Sequence, residues 1–368
     1  MIKIKRKNKL LITIIVIILC LMLMLNTVLF ILPTLQRSTN VNFSDYEAVR
    51  NFYLEENDTL DGFYVGSSGV YRFWMPPLAY QKTGMAVYAL ACNSMPISAM
   101  EDVIRDAVTR QQKIKFVAIE LRNISKGESG IKTKHMKILS DAMPRSKERT
   151  HAIDSFLNYC EKIGAHVDPT PEDYYFPILR NRGAWIKSVN TSDVIHYLRN
   201  DLNKTYKGCQ PYVRYTSVDP FTVHKETTEL NDIQLSTLNS LFDYCNELES
   251  QGISVLFTLS PCDIGGDRGE YLRAVSKLVK DNGFTMLDFT QSPLINEIDF
   301  DYSKDFYDNR HASYTGGVKY TEYMTEYFDS RFDLPDHRGD PDYDSWDESV
   351  RQLEQRVKND REKFSIDE

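Results

Sequence analysis

Residues 62–68 read GFYVGSS, a short apolar run that ends in a glycine and two serines. The run Gly62–Val65 predicts a β-strand, and Gly66–Ser68 predicts a tight turn after it. Four further short apolar runs alternate with helical patterns along the chain. They are MAVYALA (Met85–Ala91), IKFVAIEL (Ile114–Leu121), ISVLFTL (Ile253–Leu259) and FTMLDF (Phe284–Phe289). Such alternation is typical of a parallel sheet with helices on both faces, so we expect an α/β fold with a mainly parallel five-stranded sheet.

The N-terminal end of the chain combines a basic head with a long apolar run. Residues 1–9 carry five lysines or arginines, and Leu10–Leu32 is uncharged and almost wholly apolar. As a helix, that run would be about 35 Å long, enough to cross a bilayer with some tilt. Because basic flanks stay in the cytoplasm, we expect a cytoplasmic head, a transmembrane signal anchor at 10–32 and an outward-facing remainder. A cleaved signal peptide is the alternative, but no alanine that could form a small-x-small site precedes Ala48.

Beyond the anchor, the sequence divides into a stalk, one large domain and a tail. We expect the stalk at 33–60, an extracytoplasmic domain at 61–332, and a tail at 333–368 that is acidic and then helical. The domain carries an insertion at about 124–230. That segment is too long for a plain loop, so it should contain secondary structure of its own.

The insertion contains two helical patterns and an aromatic cluster. The patterns predict helices near His151–Ile163 and Asp193–Leu202, and the cluster includes Tyr175 and Trp185. An insertion over the end of a sheet is a natural substrate cap, so we predict that these two aromatic side chains contact substrate. The alternative is an extra packing layer, and the sequence does not choose between the two.

Composition argues against several classes of partner. The chain has 44 basic and 52 acidic residues, a formal net charge of −8, and the part beyond the basic head is more acidic still. Nucleic-acid-binding proteins present basic faces, so we expect no nucleic acid and no broad attraction to anionic lipid or anionic wall polymer. The six cysteines are widely spaced, without a C-x-x-C pair or a His/Cys cluster at zinc spacing. We therefore expect no metal and no cofactor.

Polar residues that could take part in catalysis or binding come directly after the carboxyl ends of the predicted strands. Ser68 follows the first strand, Asn93 the second and Asn123 the third, while Asp308 and His311 come after the fifth. Ligands of open parallel sheets bind outside the carboxyl ends of the strands. We therefore expect all five side chains at one edge of the sheet.

Three of these residues have the chemistry of a catalytic triad. At D-x-x-H spacing on a turn or incipient helix, Asp308 and His311 can project from one face. Asp308 would orient the imidazole, and His311 would take the proton of the Ser68 hydroxyl as it attacks an acyl carbonyl. The developing oxyanion needs fixed donors. Our candidates are the Ser68 backbone N–H and the side chain of Asn123, with Asn93 as a further one.

This pattern resembles the SGNH (GDSL-like) hydrolase superfamily over roughly Gly62–Phe328. The superfamily is described by a series of short sequence motifs, called blocks. Gly66-Ser67-Ser68 matches the first block, and Asp308-x-x-His311 matches the last. The segment DFYDNRHASYTGG (Asp305–Gly317) is similar to membrane-anchored members that act on bacterial cell-surface polymers. These include relatives of the D-alanyl-lipoteichoic acid transfer protein and of the alginate O-acetylation proteins. The resemblance implies a flavodoxin-like three-layer α/β/α sandwich with Ser68, Asp308 and His311 as the triad.

The middle blocks of that superfamily are altered in this chain. Ala91-Cys92-Asn93 stands where the second block would supply a glycine donor, and Leu121-Arg122-Asn123-Ile124 keeps only the asparagine of the third. The resemblance implies an acyl esterase or O-acyltransferase that acts on cell-envelope glycan or wall polymer. A transferase would need an acyl donor, which would arrive through a membrane partner such as a membrane-bound O-acyltransferase. The alternatives are a non-catalytic accessory protein that binds glycan or such a partner, and a purely structural membrane-tethered domain.

Overall fold

The computed structural model describes residues 6–35, 43–124, 133–168, 170–176, 206–221, 227–263 and 267–366. The chain forms two compact units. The first comprises Met1–Val41 and Pro169–Asp201, and the second comprises Asn42–Asp168 and Leu202–Glu368. The second unit contains the sheet and all the residues of the candidate site discussed below.

Seven strands lie within the described residues. They are β1 (Gly62–Gly66), β2 (Val87–Ala91), β3 (Phe116–Glu120), β4 (Ser254–Leu259), β5 (Thr285–Asp288), β6 (Phe306–Asp308) and β7 (His311–Ala312). The first five form one parallel sheet in the order β2-β1-β3-β4-β5. That order is the one found in flavodoxin-type doubly wound sheets. The predicted α/β class and the five predicted strands are therefore confirmed.

The described residues also form thirteen α-helices. They are α1 (Arg6–Leu35), α2 (Phe43–Phe52), α3 (Ser68–Tyr71), α4 (Pro76–Thr83), α5 (Ile97–Arg110), α6 (Thr133–Ala142), α7 (Lys147–Lys162), α8 (Glu172–Tyr175), α9 (Asp232–Ser250), α10 (Asp267–Asp281), α11 (Leu294–Glu297), α12 (Tyr314–Arg331) and α13 (Asp344–Phe364). Short 3₁₀ turns lie at Tyr206–Gly208 and Pro341–Tyr343.

Helix α1 belongs to the first unit and contains the segment 10–32 that we predicted as an anchor. The large apolar side chains described between Leu11 and Leu25 are exposed. Across the described parts of the chain, none of the helices reaches the combined length and hydropathy that define a membrane span. The anchor stays a prediction from the sequence.

Helices cover both faces of the sheet because its strands are apolar on both faces. On one face, Phe328 of α12 packs on Phe116 of β3 with ring centroids 4.6 Å apart. On the other, Phe52 of α2 packs on Phe63 of β1 at 5.7 Å. Phe242 of α9 similarly contacts β4 on that second face. Adjacent strand residues point to opposite faces, so burial of both requires two helical layers.

Local caps set where several helices begin. Helix α9 has a capping box in which Asn231 and Gln234 each bond the backbone N–H of the other. Ser146 caps α7, and Ser313 caps α12. Each such side chain satisfies an N–H that has no partner within the helix, which contributes about 1 kcal/mol. The Ser313 cap fixes the start of α12 directly after His311.

The predicted insertion performs two structural tasks. Helix α7, which contains most of the predicted helix His151–Ile163, buries Ile153 and Phe156. Its Ser155 hydroxyl also donates to Asp102 of α5 at 3.1 Å, so this part is a packing layer. Residues 206–221 instead return to the carboxyl edge of the sheet. The predicted helix Asp193–Leu202 lies outside the described residues.

The C-terminal segment packs against the domain through its helix. Trp346 of α13 is 1% exposed and lies on the Tyr80 ring of α4 with centroids 5.5 Å apart. Leu353 is fully buried further along the same helix. The segment predicted as a tail therefore contributes to the core of the second unit. The described residues include all six cysteines, and no disulfide bond is formed among them.

Candidate active site

The turn after β1 presents one serine and buries the other. Ser68 begins α3 and is half-buried, whereas Ser67 is 3% exposed and precedes the helix as its cap. The Ser67 hydroxyl donates to Glu120 Oε2 at 2.9 Å. Ser67 is therefore committed to an internal contact, and Ser68 is the serine that faces the edge of the sheet.

Asp308 and His311 lie on a small antiparallel hairpin formed by β6 and β7. His311 Nε2 is 2.8 Å from Ser68 Oγ. His311 Nδ1 lies 3.0 and 2.9 Å from the two carboxylate oxygens of Asp308. The structure thus brings together the three side chains that we predicted as a triad, although Ser68 and His311 are 243 residues apart in the sequence.

Of the two settings that we predicted for D-x-x-H, a turn or an incipient helix, the structure has the turn. Asp308 and His311 are cross-strand partners that flank a two-residue loop. Residues paired across two antiparallel strands lie on the same face of the ribbon, as do residues three apart on a helix. The two side chains are therefore aligned by a hairpin and not by a helical turn. The Arg310 N–H donates to Asp308 Oδ1 at 2.7 Å and holds the carboxylate in place.

The environment of His311 favours the neutral imidazole. Burial lowers the pKa of His311 below its ordinary 6.5, and the positive charges of Arg122 and Arg72 lower it further. The bond to Asp308 opposes these effects without cancelling them. Burial by itself raises the pKa of Asp308, but hydrogen bonds, first among them that from His311, bring it below the usual 3.8. At neutral pH, a neutral base therefore faces Ser68 beside an ionised carboxylate.

Arg122 connects the edge of the sheet to the hairpin. Its side chain is 5% exposed, and Nη1 donates to the carbonyl oxygens of Pro261 at 3.0 Å and of Arg310 at 2.5 Å. Because Asp308 holds the N–H of Arg310 and Arg122 holds its C=O, the hairpin loop is fixed from both sides. Sequence reasoning noted Arg122 only as a departure from a motif. Its position directly after a buried strand was the available signal.

The buried carboxylate of Glu120 holds the Ser67-Ser68 turn in place through hydrogen bonds. Glu120 is 1% exposed and accepts from the hydroxyls of Ser67 and Ser260, and from the Arg122 N–H at 2.9 Å. A Cβ on Gly69 would lie 2.3 Å from Ser260 Oγ and 2.8 Å from Glu120 Cδ. A glycine is therefore required after Ser68. The sequence signal was a single acid at the end of an apolar strand.

The three candidate oxyanion donors differ in the hydrogen bonds that they already make. Ser68 is the first residue of α3, and N–H groups in a first turn have no acceptor within their helix. Asn123 Nδ2 donates to the Met95 carbonyl at 3.4 Å, which engages one of its two amide hydrogens. Asn93 accepts from the Ser94 hydroxyl at 3.1 Å. Among the described residues, neither asparagine side chain hydrogen-bonds a triad member.

The second unit places two other aromatic residues beside the triad, and the substrate contacts of Tyr175 and Trp185 stay predictions. Tyr175 lies on α8 in the first unit, and Trp185 lies outside the described residues. Tyr307 instead stacks on His311, with centroids 5.3 Å apart and planes 8° from parallel. Tyr212 packs on Tyr307 at 4.5 Å. Tyr307 was within reach of sequence reasoning, because it immediately precedes Asp308, whereas Tyr212 had no sequence signal.

The described residues contain no group of three or more His, Cys, Asp or Glu side chains arranged to hold a metal ion. The side chains that converge are instead a serine, an imidazole, a carboxylate and two guanidinium groups. This set can move a proton and stabilise charge without a further group.

The fold and the site together define an α/β protein with a serine–histidine–aspartate arrangement at the carboxyl edge of a parallel sheet. A scan against models of known protein families finds no match to the chain, and a search of curated proteins finds no significant relative. The function must therefore be argued from the geometry of the site.

Proposed function

We propose that the protein is a membrane-anchored, extracytoplasmic serine acyl esterase or O-acyltransferase that acts on cell-envelope polysaccharide. The observation that carries this proposal is the 2.8 Å approach of His311 Nε2 to Ser68 Oγ, with Nδ1 held by Asp308. A neutral histidine in this position turns a hydroxyl into a nucleophile at neutral pH. Residues 10–32 would supply the anchor.

The reaction follows the usual two halves of acyl transfer. Ser68 Oγ attacks the ester carbonyl while His311 Nε2 takes its proton, and Asp308 stabilises the imidazolium. Collapse of the tetrahedral intermediate breaks the ester C–O bond, and His311 returns the proton to the leaving alcohol. In the second half, His311 takes a proton from water or from a sugar hydroxyl, whose oxygen attacks the acyl-serine. Collapse of this second intermediate breaks the acyl–Oγ bond, and His311 returns the proton to Ser68, which is regenerated in either case. Water as the acceptor gives hydrolysis, whereas a sugar hydroxyl gives transfer.

The strand order and the position of the site support membership of the SGNH superfamily with a flavodoxin-like three-layer sandwich. The nucleophile after the first strand and the D-x-x-H pair just before helix α12 match its outer blocks. The Ser68 N–H and the second amide hydrogen of Asn123 would supply the oxyanion donors. Loss of one such donor typically costs about 2.7–4 kcal/mol of transition-state stabilisation.

A fluorophosphonate probe tests the nucleophile without knowledge of the natural substrate. We expect the full-length protein to be labelled at Ser68, as identified by peptide mass spectrometry. Ser68→Ala should abolish labelling with little change in melting temperature, because Ser68 is half-buried and the side chain that loses its partner, His311, is 20% exposed. His311→Ala should abolish it too. Ser330→Ala, at an exposed serine of α12, is the matched control and should label normally.

A non-catalytic accessory protein, which binds glycan or a membrane-bound O-acyltransferase, is the second candidate function. One observation favours it: the N–H of Cys92, in the altered second block, already donates to the Gly66 carbonyl at 3.3 Å. That N–H is therefore engaged in the sheet and is not a free oxyanion donor. Absence of labelling at Ser68 in well-folded protein would support this function over the enzyme.

A further inference from the structure

A cleft of about 370 Å³ lies in the second unit beside the candidate triad. Its volume is within the range of small-molecule sites in proteins. The side chains that decide its chemistry come from α2, from the C-cap of α3, from the segment after the 3₁₀ turn at Tyr206–Gly208, and from α13. They are Glu47, Asn51, Arg72, Gln210, Tyr212 and Arg356.

The wall of the cleft leads to the catalytic histidine. Arg72 lies one turn beyond Ser68, and its N–H donates to the Ser68 carbonyl at 3.2 Å. The Arg72 guanidinium is 5.7 Å from the ring centroid of Tyr212 and 5.5 Å from that of Tyr307. Tyr212, Tyr307 and His311 then follow one another as packed rings. A ligand in the cleft that contacts Tyr212 is therefore separated from His311 by the ring of Tyr307.

The charges around the cleft are largely compensated. Arg356 Nε pairs with Asp360 at 2.5 Å. Gln210 Nε2 donates to Asp45 at 2.8 Å, which places a second carboxylate near Glu47. Arg72 Nη1 is engaged by the Gln210 carbonyl at 2.7 Å. Arg214, whose guanidinium lies 4.9 Å from the ring centroid of Tyr212, is a third cation near the cleft. The three arginines are matched by the three carboxylates of Glu47, Asp45 and Asp360, so no excess of positive charge is present to select an anion.

The remaining chemistry suits a neutral sugar. Tyrosine offers a flat apolar face with a polar tip, and such faces pack against the C–H face of a pyranose ring. Amide, carboxylate and guanidinium groups are planar and can bond pairs of neighbouring hydroxyls. A few polar groups of this kind around an aromatic wall are what orients a small ligand.

We infer that this cleft binds a neutral pyranose unit of the glycan and places its ester next to Ser68. The inference rests on the proposed function for the identity of the reaction. The binding of a neutral saccharide, however, is a separate property of the cleft. Tyr212 provides the stacking face, and Arg72 positions the sugar toward the triad.

A second cleft of about 320 Å³ serves as an internal control. It is lined by Leu54, Glu55, Lys207 and Trp346, among others. Its lysine is already satisfied, since Nζ donates to both oxygens of Glu55 at 2.9 Å and to a serine hydroxyl. Leu54 is 46% exposed and can be truncated with little effect on the fold. A Leu54→Ala variant therefore reports on non-specific effects of altering a cleft of similar size.

The experiment measures binding of two disaccharides to the full-length protein by saturation-transfer NMR, each titrated to its solubility limit. The neutral probe is the disaccharide of N-acetylglucosamine, and the anionic probe joins glucuronate to N-acetylglucosamine. We expect the neutral probe to bind more tightly. Tyr212→Ala should weaken it about tenfold or more, whereas Tyr212→Phe, which keeps the ring, and Leu54→Ala should bind as the wild type does. Melting temperatures establish that each variant is folded.

The outcomes separate this inference from the proposed function. If the wild type binds neither probe, prefers the anionic one, or binds the neutral one equally well after Tyr212→Ala, the sugar site is refuted. If folded Tyr212→Phe protein binds the neutral disaccharide as weakly as Tyr212→Ala does, stacking of the sugar on the Tyr212 ring is refuted. Fluorophosphonate labelling is read independently. Labelling at Ser68 without saccharide binding refutes the cleft alone, and saccharide binding without labelling refutes the enzyme alone.

Discussion

Asp308→Asn tests whether the carboxylate sets the tautomer of His311. In the structure, Asp308 Oδ1 accepts the Arg310 N–H at 2.7 Å, and both oxygens lie within 3.0 Å of His311 Nδ1. An asparagine that keeps its oxygen on the Arg310 N–H must place its NH₂ group against Nδ1. The NH₂ group then donates to Nδ1, so the imidazole proton moves to Nε2 and points at Ser68. The opposite orientation loses the Arg310 bond and sets two donors against each other.

The expected loss of rate is large and the expected loss of stability is small. A histidine with its proton on Nε2 cannot accept the proton of Ser68, and the equivalent change in a serine-protease triad lowers kcat about 10⁴-fold. At about 1.36 kcal/mol per tenfold, that corresponds to about 5.5 kcal/mol in the activation barrier. The Asp308 side chain is 46% exposed and nearly isosteric with asparagine. The free energy of unfolding should therefore change little.

The assay is the second-order rate constant for fluorophosphonate labelling of the full-length protein at neutral pH. The matched control is Asp329→Asn, which removes an exposed carboxylate of α12 and should label as the wild type does. A labelling rate for Asp308→Asn within tenfold of the wild-type rate would refute the reasoning. Asp308 would then be a residue that only stabilises the hairpin.

Two further substitutions probe the surroundings of the triad. Arg122→Gln removes a charge that lowers the pKa of His311, so protonation should suppress labelling of Ser68 at a higher pH than in the wild type. In the wild type, the labelling rate should fall only below pH 6.5. Arg122→Lys keeps the charge, and an acid limb displaced equally in both variants would contradict this account. Gly69→Ala would place a methyl group 2.3 Å from Ser260 Oγ, so it should cost about 1–3 kcal/mol of stability and slow Ser68 labelling. Chemical denaturation measures the first effect, and wild-type stability would show that the turn can accommodate a side chain.

The class of fold and the principal site residues could be predicted because their causes are local or follow from a general rule. Apolar runs of strand length between helical patterns specify a buried parallel sheet. In such a sheet, every strand ends at the same edge, so Ser68 and the Asp308–His311 pair had to lie near one another. For the backbone that carries this pair, the sequence left a turn and an incipient helix open, and the structure has a turn between two strands. A three-residue spacing suits a helical turn and a hairpin pair equally well, and the surrounding contacts select between them.

The sequence by itself determined the sheet, the edge at which Ser68 and His311 lie, and the acidic character of the chain. Only the tertiary structure decided which charges surround that base and which rings form the neighbouring cleft. The Arg122 side chain reaches a carbonyl 188 residues away, and Glu120 and Ser67 are 53 residues apart. Burial and charge neutralisation at such distances depend on the path of the whole chain. No local pattern encodes them, because a buried carboxylate or guanidinium is tolerated only where its partners have already been assembled.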